Sequence, residues 1–293
     1  MPRIADEDLD RFIREDIPYG DLTTRSLGLC DRPAAIEFCA GPAMVACCTE
    51  DAARIMIRLG CVAIPDVASG ANVGPGTRLL SAHGPAAAVF AGWKVAQTLM
   101  EYASGIATSA ARIVAAARAV RPDTVIACTR KSFPGTRAVA IKAIVAGGSV
   151  PHRLGLSDSV LVFPEHRALL GEVSLADAIG RLKASCPEKK VVVEVTTGDD
   201  AAAAAAAGAD VVQLEKFTPA QIAIVAGRLA GTGTLIAAAG GIGAANAAAC
   251  AAAGARILVT SAPYQAPPVD VKVLIVPASP AGNPGAGDPG AGA

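Results

Sequence analysis

Six short, almost purely apolar runs recur after Pro122, at 124–128, 159–163, 190–195, 210–214, 234–238 and 256–260. Helical stretches separate the later ones, at 174–184, 199–207, 219–230 and 244–253. Strands that are apolar at successive positions are buried on both faces. Strand–helix repetition of this kind therefore specifies a parallel sheet covered by helices. The rhythm by itself fits an open sheet as well as a closed barrel. A polar residue stands just after each run, on the face where α/β barrels collect their sites, which favours a short parallel α/β barrel of six or seven strands.

Those polar residues form a constellation. The first run ends in Thr129-Arg130-Lys131, and Arg137, Lys142, His152 and Arg153 follow with no acid before Asp158. Cations that directly end a core strand read as a pocket for a molecule with several negative charges, ahead of a solvated basic loop. The third run carries Glu194, and the fourth leads into Glu215-Lys216. The fifth opens into Gly240-Gly241-Ile242-Gly243 and the sixth into Thr260-Ser261. Glycines let a backbone approach a phosphate closely, and a following helix adds N–H donors. Gly240, Gly241, Thr260 and Ser261 are thus candidate phosphate ligands. A dinucleotide fingerprint fits worse, because Asn246 takes the third glycine position and no acid follows about 20 residues on.

A carboxylate inside an apolar strand rarely stays unpaired. Glu194 therefore either pairs with Arg130 or Lys131, or joins Glu215 in holding Mg²⁺ through a diphosphate, the oxygen chemistry that ion prefers. Both readings stay open. His152 reads as a hydrogen-bonding substrate contact sooner than a general base. His83, His166 and the Cys128 thiol read as structural.

The remaining sequence narrows the class. Lysines plus arginines and aspartates plus glutamates balance at 26 each, and 6 Phe, 3 Tyr and 1 Trp leave few stacking platforms. Nucleic acid and anionic membrane are not indicated as partners. The eight cysteines form no C-x-x-C pair and three histidines lack ligand spacing, so no zinc site is expected. No signal-peptide pattern opens the chain, which suggests free thiols in a reducing cytoplasm. Upstream, an acidic amphipathic helix at 4–15 precedes short β-like runs at 35–39, 43–47, 61–64 and 78–81. A helix at 49–59, capped by Thr49, lies between them, and a long helical stretch at 89–117 has a break or kink expected at Ser104-Gly105. Residues 277–293, almost all Pro, Gly and Ala, are expected to be disordered.

Several of these segments together resemble the quinolinate phosphoribosyltransferases (nicotinate-nucleotide pyrophosphorylases). They are Gly20-Asp21-Leu22-Thr23-Thr24, Ser104-Gly105-Ile106-Ala107-Thr108, Thr129-Arg130-Lys131 with Pro134-Gly135 and Arg137, His152-Arg153-Leu154-Gly155-Leu156, Val193-Glu194-Val195 and Gly240-Gly241-Ile242. The wording from Arg130 to Arg137 and from Leu154 to Arg167 is most similar to a paralogous branch named for its association with molybdate-transport genes.

The resemblance implies an N-terminal α/β sandwich at 1–108, completed by 266–276, and a barrel at 109–265. It implies a homodimer or higher homo-oligomer in which one subunit's sandwich closes its neighbour's barrel mouth. It also implies transfer of phosphoribosyl from phosphoribosyl pyrophosphate, with Mg²⁺, to quinolinate or another anionic aromatic acceptor. For the paralogous branch the alternative is a different acceptor, or an anion-binding role without catalysis linked to molybdate supply.

Carried over motif by motif, Arg130, His152 and Arg153 would hold acceptor carboxylates, and Lys131 would stand at the substrate junction. Glu194 and Glu215 would face ribose and metal-diphosphate, and the Gly240, Gly241 and Ser261 region the 5′-phosphate. Lys94 falls where the family has an intersubunit arginine, and lacks its bidentate fork. Leu214-Glu215-Lys216 replaces a Leu-Asp-Asn turn, which leaves Lys216 as a substrate contact. Phe163 stands where the family's lysine would meet a carboxylate.

Overall fold

The computed structural model describes residues 1–278. It contains the strands β1 (Pro33–Ala40), β2 (Met44–Val45), β3 (Val62–Pro65), β4 (Asn72–Val73) and β5 (Arg78–Pro85). Next come β6 (Val125–Cys128), β7 (Val150–Pro151), β8 (Val160–Val162), β9 (Val191–Val195), β10 (Val211–Glu215), β11 (Leu235–Ala239) and β12 (Ile257–Thr260). The last is β13 (Val271–Pro277). The chain forms two compact units, one of residues 3–101 with the segment from Val269 onward, the other essentially 102–268.

In the first unit an antiparallel sheet runs in the order β13-β1-β5-β3, beside a small β2–β4 pair. β1 alternates as a half-buried strand must: Ala34, Ile36, Phe38 and Ala40 are buried and their neighbours are not. Two expectations fail here. Cys48, in a left-handed conformation, takes the cap position of the helix Thr49–Arg58, while Thr49 is its first residue and donates its hydroxyl to the Val67 carbonyl. Pro277 and Ala278 belong to the ordered sheet edge, Pro277 paired with Ala34 and Ala278 N–H bonded to the Pro33 carbonyl. Of the expected disordered tail, 279–293 lies outside the described residues.

The second unit is a seven-stranded parallel half-barrel in the order β7-β6-β12-β11-β10-β9-β8. Strand alternation sorts its side chains into two sets. Ile126, Val191, Val193, Val195, Val212, Leu214, Ile236 and Leu258 pack with the covering helices. Ala127, Val211, Ala237, Ala239 and Val259 cluster on the opposite, inner face. Because the period is two, Glu194, Gln213 and Glu215 share that inner face with Val211. The pairing register sets Gln213 beside Glu194 and Glu215 beside Ala239.

The long helix Ala86–Arg118 is unbroken through Ser104-Gly105. Gly105 is there for proximity: a Cβ at that position would collide with the Pro267 carbonyl oxygen. No helix among the described residues is long and apolar enough to cross a membrane. All eight cysteines are free thiols.

Candidate active site

At the ends of the parallel strands lies a cavity of about 690 Å³. It gathers Arg130 and Lys131 after β6, His152 and Arg153 after β7, Phe163 after β8, Glu194, Gln213 and Glu215 from β9 and β10, Gly240 and Gly241 after β11, and Thr260 and Ser261 from β12. Ten of the twelve expected site residues therefore converge on one concavity. Lys216 and Lys94 are not in its lining. Lys216 adopts a left-handed backbone just past β10, its N–H bonded to the Ala239 carbonyl. Lys94 belongs to the other compact unit, where its ammonium lies 4.2 Å from the Trp93 ring centroid and 2.7 Å from Gln97 Oε1.

The cationic wall has no acid of its own. Among the described residues no ion pair engages Arg130, Lys131 or Arg153. The Arg153 guanidinium is buried and donates to the Leu156 and Ser159 carbonyls at 3.3 and 3.0 Å, while its Nε is left without a partner. Burial, and then the neighbouring Arg130 charge, weaken its hold on its proton relative to an ordinary arginine. A buried guanidinium beside a second one is electrostatically unfavourable until an anion arrives.

His152 is pushed below its ordinary pKa by burial and then by Arg153, so near neutral pH it is a neutral imidazole. The native state thus binds fewer protons than the unfolded chain just below pH ~6.5, and stability falls as pH drops through that window. His152→Gln is expected to flatten the decline of Tm between about pH 6.5 and 5 relative to the parent chain; superimposable Tm–pH curves would contradict this. Cys128 is buried and its thiol pushed up to about 12 by burial, which makes it the inert packing group expected.

The acidic wall behaves differently from one of its two expectations. Glu194 has no ion pair with Arg130 or Lys131; its Oε2 accepts instead from Gln213 Nε2 at 2.7 Å. Burial raises its pKa first, and Glu215 and Glu165 add to the rise, against the Gln213 hydrogen bond and Lys131. The cations sit on β6 and β7 and the acids on β9 and β10, so the wall-to-wall gap remains open for a ligand.

The glycine turn is built from two successive left-handed residues, Gly240 at φ 85° and Gly241 at φ 76°. Asn246 closes it from both sides, accepting from Gly243 N–H at 2.9 Å and donating to the Gly241 carbonyl at 3.1 Å. The helix that follows, Ala247–Ala252, is shorter than the sequence suggests and begins later. Any phosphate cradle rests on the turn rather than on a helix dipole. Thr260 also departs from expectation. Its hydroxyl donates to the Ile242 carbonyl at 2.6 Å and accepts from Ala262 N–H at 3.0 Å, so it ties the two turns together and has no spare proton. Ser261 remains as the free hydroxyl on that edge.

Sequence reasoning missed Gln213, Leu161, Ala262 and Gln265 in the lining, and Tyr264, whose hydroxyl anchors the Thr129 carbonyl at 2.9 Å. Gln213 was findable, two residues before Glu215 on the same strand. Tyr264 and Gln265 follow β12 in a 3₁₀ turn that carries no sequence signal.

This architecture is that of a phosphoribosyltransferase-type barrel joined to a sandwich. The structure titled "Crystal Structure of NadC from Streptococcus pyogenes" superposes with a TM-score of 0.87 at 23% identity, covering 95% of this chain and 100% of that one. The nicotinate-nucleotide pyrophosphorylase from Francisella tularensis gives 0.86 at 23%, covering 94% and 98%. The chain belongs to the quinolinate phosphoribosyl transferase family, whose C-terminal domain matches residues 106–274 and whose N-terminal domain matches 21–104.

Among its relatives is the "Putative pyrophosphorylase ModD" of Rhodobacter capsulatus, 55% identical over 249 residues, which are 84% of this chain and 95% of that protein. A protein of the same description from Escherichia coli O6:H1 is 39% identical, across 94% of this chain and 98% of its own. Human nicotinate-nucleotide pyrophosphorylase [carboxylating] is 32% identical, across 73% and 71%.

Proposed function

We propose that this protein transfers the phosphoribosyl group of phosphoribosyl pyrophosphate to an anionic aromatic acceptor, as a homodimer or larger homo-oligomer in the cytoplasm. One observation carries the reading: a single cavity sets unpaired cations opposite two carboxylates, with a doubly left-handed glycine turn between them. An acceptor acid and a phosphorylated sugar are together the complement of that arrangement.

In this reading Arg130, Arg153 and neutral His152 orient the acceptor's carboxylate, and Lys131 stands where acceptor and leaving group meet. A ring nitrogen attacks the anomeric carbon as the diphosphate departs with its electron pair. The transition state is oxocarbenium-like, so positive charge grows on the sugar, and Glu194 and Glu215 lie where they stabilise it. Gly240, Gly241 and Ser261 receive the 5′-phosphate. Positioning the nitrogen against that carbon supplies much of the remaining acceleration.

The donor set suits Mg²⁺ that arrives with the diphosphate. Glu194 and Glu215 are oxygen ligands with no cation paired to them. Among the described residues no group of three or more His, Cys, Asp or Glu could hold a metal ion alone. Mg²⁺ commonly binds through one or two carboxylates plus substrate phosphates; when bound it neutralises charge on the departing diphosphate.

Phe163 favours an acceptor other than quinolinate. Its ring lines the cavity and stacks on His166 at 5.7 Å between centroids, an apolar surface that cannot neutralise a carboxylate. Phe163→Lys is expected to improve quinolinate turnover by roughly ten- to a hundredfold, the worth of about 1.5–3 kcal/mol from a charged hydrogen bond. Steady-state pyrophosphate release checks it, and an unchanged or lower kcat/KM would remove Phe163 as the cause of altered specificity.

The decisive experiment screens aromatic acids with phosphoribosyl pyrophosphate and Mg²⁺, following pyrophosphate release. Turnover with any acceptor supports the transferase. Anion-induced stabilisation without turnover, and without a response to phosphoribosyl pyrophosphate, supports the second reading, a non-catalytic anion binder linked to molybdate supply.

A further inference from the structure

Gln213 is the polar residue of the cavity wall that the proposed chemistry leaves without a task. It sits mid-strand on β10 at 4% exposure, on the inner face between Val211 and Glu215, directly beside Glu194 in the pairing register. Its Nε2 donates to Glu194 Oε2 at 2.7 Å, while its own Oε1 is buried without any partner. A methionine of similar length would fill the space with no orphaned oxygen, so packing does not account for an amide here. The hydrogen bond has a second consequence. It occupies one Glu194 oxygen and orients the carboxylate, and the other oxygen has no protein donor among the described residues.

Two acceptors on neighbouring strands thus lack donors, one on Glu194 and one on Gln213, in the wall of one cavity. The complement of two adjacent acceptors is a pair of adjacent hydroxyls. Cations are a poorer complement for the amide oxygen than for a carboxylate, and Arg130 and Lys131 stand away on β6 with no ion pair to this wall.

We propose that Gln213 is a specificity-determining residue that positions Glu194 and, with it, reads the vicinal hydroxyls of the ribosyl group. The proposal rests on the phosphoribosyl reading of the cavity and deepens it. The amide holds one carboxylate oxygen, the other carboxylate oxygen accepts one hydroxyl, and Gln213 Oε1 accepts its neighbour. A sugar lacking one hydroxyl leaves an acceptor buried and unmatched, which is how a polar site rejects a deoxy analogue.

The test uses the full chain and two simple probes, ribose 5-phosphate and 2-deoxyribose 5-phosphate, titrated calorimetrically without metal or acceptor. The parent protein is expected to bind the ribose compound about tenfold more tightly. Gln213→Met is expected to reduce that preference to about twofold or less while shifting the ligand-free Tm by no more than a degree or two. If Gln213→Met folds poorly, Gln213→Asn, whose amide is one methylene short, gives the same readout. An unchanged preference in a folded variant, or equal affinity for both sugars in the parent, overturns the proposal. If Mg²⁺ with phosphoribosyl pyrophosphate still stabilises the parent, the transferase reading survives that result. If the parent binds neither sugar phosphate nor phosphoribosyl pyrophosphate, the transferase reading itself fails.

Discussion

Gly240→Ala is expected to leave a folded protein that no longer responds to Mg²⁺ and phosphoribosyl pyrophosphate. For the parent chain, ligand at about a hundred times its Kd adds about 2.7 kcal/mol of stability. At roughly 2–4 °C per kcal/mol for a chain of this size, that is a Tm rise of about 5–10 °C. At position 240 a Cβ would lie 2.8 Å from Glu215 Oε1, 2.9 Å from the Lys216 nitrogen and 2.6 Å from Lys216 Cγ. The backbone there is also left-handed, which costs a side-chain-bearing residue about 1–2 kcal/mol. The turn must shift or Glu215 must move, and either change disrupts the phosphate and metal-diphosphate contacts together. Differential scanning fluorimetry with and without ligand decides it; a full ligand-induced rise in the variant would show that the turn is only a packing device.

Gly105→Val is expected to produce the largest loss of stability with the least direct effect on the cavity. Valine at mid-helix would improve on glycine by a few tenths of a kcal/mol in propensity. Against that, its Cβ would collide with the Pro267 carbonyl oxygen and crowd Pro268 Cα at 3.3 Å. Backbone cannot yield as a flexible side chain can, and overpacking of this kind costs typically 1–3 kcal/mol. A Tm fall of about 5 °C or more follows. A variant as stable as the parent would mean that the 267–268 segment moves aside freely.

These two glycines show what a linear reading captures and what it does not. The parallel fold was legible because Val191-Val192-Val193 and its counterparts are apolar on both faces, which few other architectures accommodate. The convergence of Arg130, His152, Glu194 and Gly240 was legible for a related reason: residues that follow parallel strands must emerge at one end of the sheet. Gly105 was misread as a helix break because glycine has the same propensity whether it bends a helix or admits a neighbouring backbone. Thr260 was misread as a phosphate donor because a hydroxyl carries no mark of where its proton goes. Only the approach of the Ile242 carbonyl decides that.

By itself, then, the sequence determined the α/β class, the end of the sheet that bears chemistry and the separation of cations from carboxylates by strand. All three follow from periodicity, which is local. Tertiary structure decided which of those charges stay unpaired. Glu194 turns to Gln213 rather than to Arg130 or Lys131, Arg153 is buried with carbonyls but no acid, and the two walls face each other across an open space. Pairing depends on distances between strands far apart in the chain, and no spacing along the sequence encodes them.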